Sequence, residues 1–82
     1  MFRKRKVGFY ESHYQKARRR LRRTSFRELM NYMDQFTTEF MQQLDSFRKK
    51  NDLVFIIEMK RSIASMQAIV DELDDDLQAQ AR

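Results

Sequence analysis

The chain has 82 residues, of which 41% are hydrophobic and 35% are charged, and its net charge at pH 7 is +5. The absence of cysteine excludes disulfides and thiolate chemistry, and the absence of proline leaves little to interrupt a helix after the one glycine, Gly8. This length supports a single small domain, and helical domains of this size often depend on association to bury enough apolar surface.

Charge is distributed unevenly along the chain. Residues 1–23 hold ten lysines and arginines and one acid, Glu11, which gives +9, whereas residues 24–82 hold seven basic and eleven acidic residues, which gives −4. We therefore divide the chain into a basic arm and Arg-rich helix over 1–23 and a helical hairpin domain over 24–82. A contact with a polyanion is expected from the first part.

Residues 1–8 are expected to form a mobile basic arm, and residues 9–23 a helix with a thin apolar stripe of Tyr10, Tyr14, Ala17 and Leu21. Ser25 followed by Glu28 matches a capping box, which favours a break before a second helix. A single helix running from about 9 to 48 through Thr24-Ser25 remains the alternative.

The second helix is predicted over 26–48, where apolar residues recur in steps of three and four. Its apolar stripe covers roughly half of the helix circumference, which is wider than one helical partner requires. Asn51-Asp52 is a turn and N-cap signal, and a third helix follows over about 53–79 with a heptad-like apolar pattern. The apolar run Leu53 to Ile57 is expected to be deeply covered.

The predicted fold is all-α: an antiparallel helical hairpin, about 26–48 and 53–79, with a basic N-terminal helix. The short link favours antiparallel packing, which would bring the acidic run 71–76 beside residues 24–29 and the end of the third helix past the Arg-rich helix. Two helices cannot bury this much apolar surface, so completion by homodimerisation or by a partner helix is expected. The predicted protein interface comprises Phe26, Met30, Met33, Phe36, Phe40, Met41, Leu44, Phe47, Ile63, Met66, Val70 and Leu73.

The first functional hypothesis is a small non-enzymatic protein-binding module, acting as an adaptor, chaperone or regulator through this Met/Phe-rich face. The alternative is a nucleic-acid-binding regulator, in which a helical dimer contacts the phosphates of DNA or RNA. Its predicted polyanion-binding residues are Arg3, Lys4, Arg5, Lys6, Lys16, Arg18, Arg19, Arg20, Arg22 and Arg23. The acidic run 71–76 of the same chain could instead neutralise part of this positive charge.

Other functions receive little support from the sequence. His13 is the single histidine, and the acidic run lacks the glycine and alternating ligands of a calcium loop, so we expect no metal and no cofactor. No nucleophile motif or phosphate-binding loop is present, so we expect no enzyme activity. Leu21 to Phe26 resembles a target of basophilic protein kinases at Ser25, and residues 1–23 have the arginine content of an organelle presequence.

The longest apolar run is too short to span a membrane, and no secretory signal follows the basic start. We therefore expect no transmembrane segment and an intracellular protein, with the compartment left open.

Overall fold

A computed structural model of the chain describes residues 8–81, which form three α-helices. Helix α1 spans Phe9–Leu21, α2 spans Phe26–Lys49 and α3 spans Leu53–Gln80. No strand occurs in this part of the chain, so the all-α prediction is confirmed. The predicted basic arm lies outside the described residues except for Gly8.

Helices α1 and α2 are separated by a sharp break. Arg23 adopts a left-handed conformation with φ of 68°, which no helix interior tolerates. Ser25 is extended, and its side-chain oxygen accepts a hydrogen bond from the backbone N–H of Glu28 at 3.2 Å. The predicted break and serine cap are confirmed, and the alternative of one continuous helix is wrong.

Two side chains of the turn between α2 and α3 form hydrogen bonds with free backbone groups at the ends of these helices. Asn51 Nδ2 donates to the carbonyl oxygen of Phe47 at 2.9 Å, and the Asp52 carboxylate accepts from the backbone N–H of Val54 at 3.0 Å. These two bonds close α2 and cap α3, as the Asn-Asp pair predicts.

Helix α3 is the common support of the other two helices. Helix α2 returns along α3, with Thr37 Oγ1 donating to Met66 Sδ at 3.4 Å. Helix α1 runs along another side of α3 in the same direction as α3, since Phe9 lies under the Arg61 guanidinium and Arg18 contacts Asp75. The structure therefore has three helices in contact rather than a hairpin alone.

Small side chains on α3 let both helices approach it closely. Ser62, Ala64, Ser65 and Ala68 are all buried. The main buried cluster joins all three helices through Leu21 of α1, Leu29 of α2, and Ala68 and Ile69 of α3. The half-buried side chains packed around this cluster are Tyr14, Ala17, Met30, Met33, Phe36 and Leu73.

The expected deep covering of Leu53 to Ile57 is wrong. Leu53 is 69% exposed and Val54 is 47% exposed, while residues 55–57 are half-buried. Helix α1 begins level with Arg61, so only α2 flanks the first two turns of α3. The apolar run is covered on one side and open on the other.

Candidate functional site

The apolar stripe of α2 is only partly covered. Leu29 is the one residue among the 24 of this helix that is buried. Of the predicted interface residues, Phe26, Met41, Ile63 and Val70 are exposed. The half-buried ones are Met30, Met33, Phe36, Phe40, Leu44, Phe47, Met66 and Leu73. Since exposed apolar side chains forgo the gain of leaving water, this surface is the first candidate site.

The uncovered side chains of α2 and α3 gather on one side of the molecule. Ile63 and Val70 lie roughly opposite Ser65 on α3, at about 100° of rotation per residue, and Ser65 faces α1. The contact of Thr37 with Met66 places α2 beside this outward side of α3. We call the resulting surface the apolar face, and it consists of the exposed Met41, Ile63 and Val70 with the half-buried Met30, Leu44 and Met66.

A polar cleft of 610 Å³ lies on the other side of α3, between α1 and α2. Its wall on α2 carries Tyr32 and Phe36, whose rings stack 6.3 Å apart. Lys16, Arg20 and Arg61 supply positive charge around it, and Glu39 and Glu58 supply negative charge. Charges of both signs and an aromatic wall therefore line the cleft.

His13 is a packing residue at the base of this cleft. Its Nε2 lies 3.2 Å from Ser65 Oγ, and its ring stacks on Phe9 with 6.4 Å between centroids. Burial lowers the pKa of His13, and the neighbouring cations Arg61, Arg20 and Lys16 lower it further. The imidazole is therefore held in its neutral form.

A charge cluster ties α1 to the end of α3. The Arg18 guanidinium lies 3.0 Å from Glu72, 2.6 Å from Asp75 and 3.6 Å from Asp71. Tyr14 donates a hydrogen bond to Asp71, which raises the pKa of the Tyr14 hydroxyl, and burial raises it further. We call Asp71, Glu72 and Asp75 the acidic cluster.

The other predicted polyanion-binding residues have a different environment. Lys16, Arg19, Arg20, Arg22 and Arg23 are exposed, and none forms an ion pair within residues 8–81. Arg18 is half-buried and is occupied by the acidic cluster. Arg3, Lys4, Arg5 and Lys6 lie outside the described residues.

The described residues offer no assembled site for metal or for nucleophilic catalysis. No group of three His, Asp or Glu side chains in 8–81 could hold a metal ion. The pair of His13 and Ser65 lacks a third group, since His13 has no further hydrogen-bond partner in this part of the chain. A serine activated by histidine normally needs such an orienting group.

Within residues 8–81, no helix combines the length and hydrophobicity that a membrane crossing requires. No protein-family model, curated protein or solved structure matches the chain.

Sequence reasoning missed two features of these surfaces. The small residues at positions 62, 64, 65 and 68 lie outside the heptad-like apolar positions of α3. The steps of three that join 62, 65 and 68 were the available signal of a second packing side. The cleft carried no signal, because its residues come from three helices.

Proposed function

We propose that this chain is a small non-enzymatic helical binding module that works as an assembly through its apolar face. A helix of 24 residues with one buried side chain supports the proposal most strongly. In a helical protein that functions alone, an amphipathic helix buries most of its apolar stripe. The partly covered stripe of α2 therefore favours a second helical surface as its partner.

The exposed members of the apolar face also suit association. Met41 is 54% exposed and Val70 is 48% exposed, and each belongs to a different helix. Methionine adapts its shape to a partner, and branched aliphatic side chains supply area that packing can remove from water. A surface composed from two helices presents a groove rather than a ridge to an incoming helix.

The proposal is tested by placing a charge on the apolar face. Met41→Glu and Val70→Glu should each weaken association more than about tenfold, which corresponds to about 1.4 kcal/mol, because a carboxylate would have to leave water. The measurement is molar mass by light scattering over a range of protein concentrations, with circular dichroism to confirm that the helices persist.

Gln42→Glu provides the matched control, since Gln42 is exposed beside Met41 and lies outside the apolar face. This variant should associate as the wild type does. Equal effects of Met41→Glu and Gln42→Glu would contradict the proposal, as would a wild-type monomer that unfolds cooperatively at high micromolar concentration.

A second candidate function is nucleic-acid binding through the basic segment. The observation that favours it is the exposure of Arg19, Arg22 and Arg23 without carboxylate partners among the described residues. Arginine binds phosphate by paired hydrogen bonds, and such contacts release counterions from a duplex. This function could coexist with association, because the two surfaces share no residue.

Its test is the salt dependence of binding to a generic duplex oligonucleotide. The triple variant Arg19→Gln/Arg22→Gln/Arg23→Gln should weaken binding and lower the slope of log affinity against log salt by roughly three, about one per lost phosphate contact. The control is Arg48→Gln/Lys49→Gln/Lys50→Gln, which removes the same charge from the far end of α2. Equal losses in the two variants would argue against a phosphate-binding site at Arg19, Arg22 and Arg23.

A further inference from the structure

We infer that the partner of the apolar face is a second copy of this chain, packed with its α3 antiparallel to the first. The inference rests on the proposed function and specifies its partner and geometry. It is carried by a row of exposed apolar residues on α3 and by the charges that flank this row.

The row, which we call the α3 seam, repeats every seven residues. Ile63 is 40% exposed, Val70 is 48% exposed and Leu77 is 66% exposed, and the half-buried Ile56 extends the row toward the start of the helix. A repeat of seven keeps side chains in line along a helix that packs on another helix.

The second apolar position of each heptad already packs within the chain. Met59 is buried, and Met66 and Leu73 are half-buried on the side of α3 that packs against α2. Helix α2 therefore packs against one of the two apolar positions of the heptad on α3, whereas the α3 seam has no helix packed against it within residues 8–81. A helix lying on the seam would also touch the apolar side chains of α2 that border it, such as Met41.

Three exposed polar residues flank the open side of the seam, again seven apart: Lys60, Gln67 and Asp74. The opposite flank includes Ser62 and Ile69, which are both buried within the chain. In an antiparallel pair of identical helices, equivalent flanks face each other, whereas in a parallel pair each flank faces the opposite one. Because one flank is covered, only antiparallel packing lets the open flanks meet.

The charges on the open flank match this arrangement. An antiparallel pair centred near Gln67 puts Lys60 of each copy beside Asp74 of the other, with Ile63 beside Val70. Lys60 and Asp74 take part in no ion pair among residues 8–81, and Asp74 accepts a long hydrogen bond of 3.5 Å from Gln78 Nε2, so both charges can pair with a second copy. The surface is therefore complementary to itself, as a two-fold interface requires.

The direct test uses disulfide crosslinking in the full chain, where an introduced cysteine is the sole thiol. A mixture of the Lys60→Cys and Asp74→Cys proteins should form mixed disulfides faster than either protein forms its own. The Gln67→Cys protein should crosslink to itself, and the exposed Gln42→Cys protein on α2 should crosslink slowly. Preferential self-crosslinking of Lys60→Cys would overturn the inference, as would rates for the mixture that equal those of Gln42→Cys.

A charge exchange gives a second readout without cysteines. Lys60→Glu and Asp74→Lys should each weaken the dimer by roughly threefold to tenfold, since each creates two repulsive pairs of surface charges. The double variant Lys60→Glu/Asp74→Lys should return the dissociation constant to that of the wild type. Additive weakening in the double variant would overturn the inference.

Light scattering separates failure of this inference from failure of the proposed function. A dimer that is lost in Met41→Glu and Val70→Glu but lacks the crosslinks would exclude antiparallel pairing through α3 and leave association through the apolar face in place. A cooperatively folded monomer at every concentration would exclude both.

Discussion

Arg18 joins the Arg-rich helix α1 to the acidic cluster on α3. Its side chain is 21% exposed and that of Glu72 is 10% exposed, so this pair is shielded more than a surface ion pair. Burial lowers the pKa of Arg18, while the hydrogen bond to Asp75 and the electrostatic contributions of Tyr14, Glu72 and Asp75 together raise it by more, and the guanidinium stays charged. The contact fixes α1 on α3.

Arg18→Gln should lower the free energy of unfolding by about 2 kcal/mol, because it leaves the carboxylates of Asp71, Glu72 and Asp75 close together without a cation. Chemical denaturation followed by circular dichroism measures the loss. The matched control is Arg19→Gln, at an exposed neighbour without an ion pair, which should change stability by less than about 0.5 kcal/mol. Equal effects of the two substitutions would show that the acidic cluster does not hold α1.

His13 makes the stability of the fold depend on pH. Its pKa in the folded chain lies below the usual value of 6.5 because of burial and then of Arg61, Arg20 and Lys16. Between the two pKa values the unfolded chain binds more protons than the folded chain. The contribution of His13 to stability is therefore complete above pH 6.5 and is lost as the pH falls below it.

His13→Gln should remove this dependence. The wild-type advantage in unfolding free energy over His13→Gln should shrink between about pH 7.5 and pH 5.5, the interval in which an unperturbed histidine titrates. Urea denaturation of both proteins at the two pH values measures the difference. Parallel losses of stability in the two proteins would contradict a titrating role for His13.

At the scale of single helices, most boundaries could be predicted from local side chains. Ser25 and Asp52 accept hydrogen bonds from the first turns of α2 and α3, and α2 begins at Phe26 as expected. These signals are readable because capping depends on residues within three positions of each other. The burial of Leu53 to Ile57 could not be predicted from the sequence, because it depends on where α1 packs along α3.

Ser25→Ala should destabilise the fold by about 1 kcal/mol, since the backbone N–H of Glu28 loses its acceptor. Thermal or chemical denaturation measures the change. Thr38→Ala is the control, because Thr38 is an exposed residue in the interior of α2, where alanine is the better helix former. A loss in Thr38→Ala as large as that in Ser25→Ala would mean that the cap contributes nothing.

At the scale of the whole molecule, the sequence predicted that the acidic run would lie near the basic helix, and the contact of Arg18 with Asp75 bears this out. It did not predict that α3 would carry α1 and α2 on different sides. That arrangement depends on the small residues Ser65 and Ala68, which contribute little to an apolar pattern but allow close packing. The same arrangement turns Ile63 and Val70 outward.

The exposed side chains of the apolar face favour association of the chain. Helix α2 contributes Leu29 alone to the buried core, while Met41, Ile63 and Val70 remain exposed. A small core of this kind leaves a helical chain of 82 residues only marginally stable by itself.

Molar mass by light scattering, measured on the wild-type chain from low to high micromolar concentration, tests this claim most directly. The account predicts a dimer that dissociates to a monomer on dilution, because the second copy covers the apolar face. A monomeric mass at all concentrations, with a cooperative unfolding transition that does not depend on concentration, would contradict it.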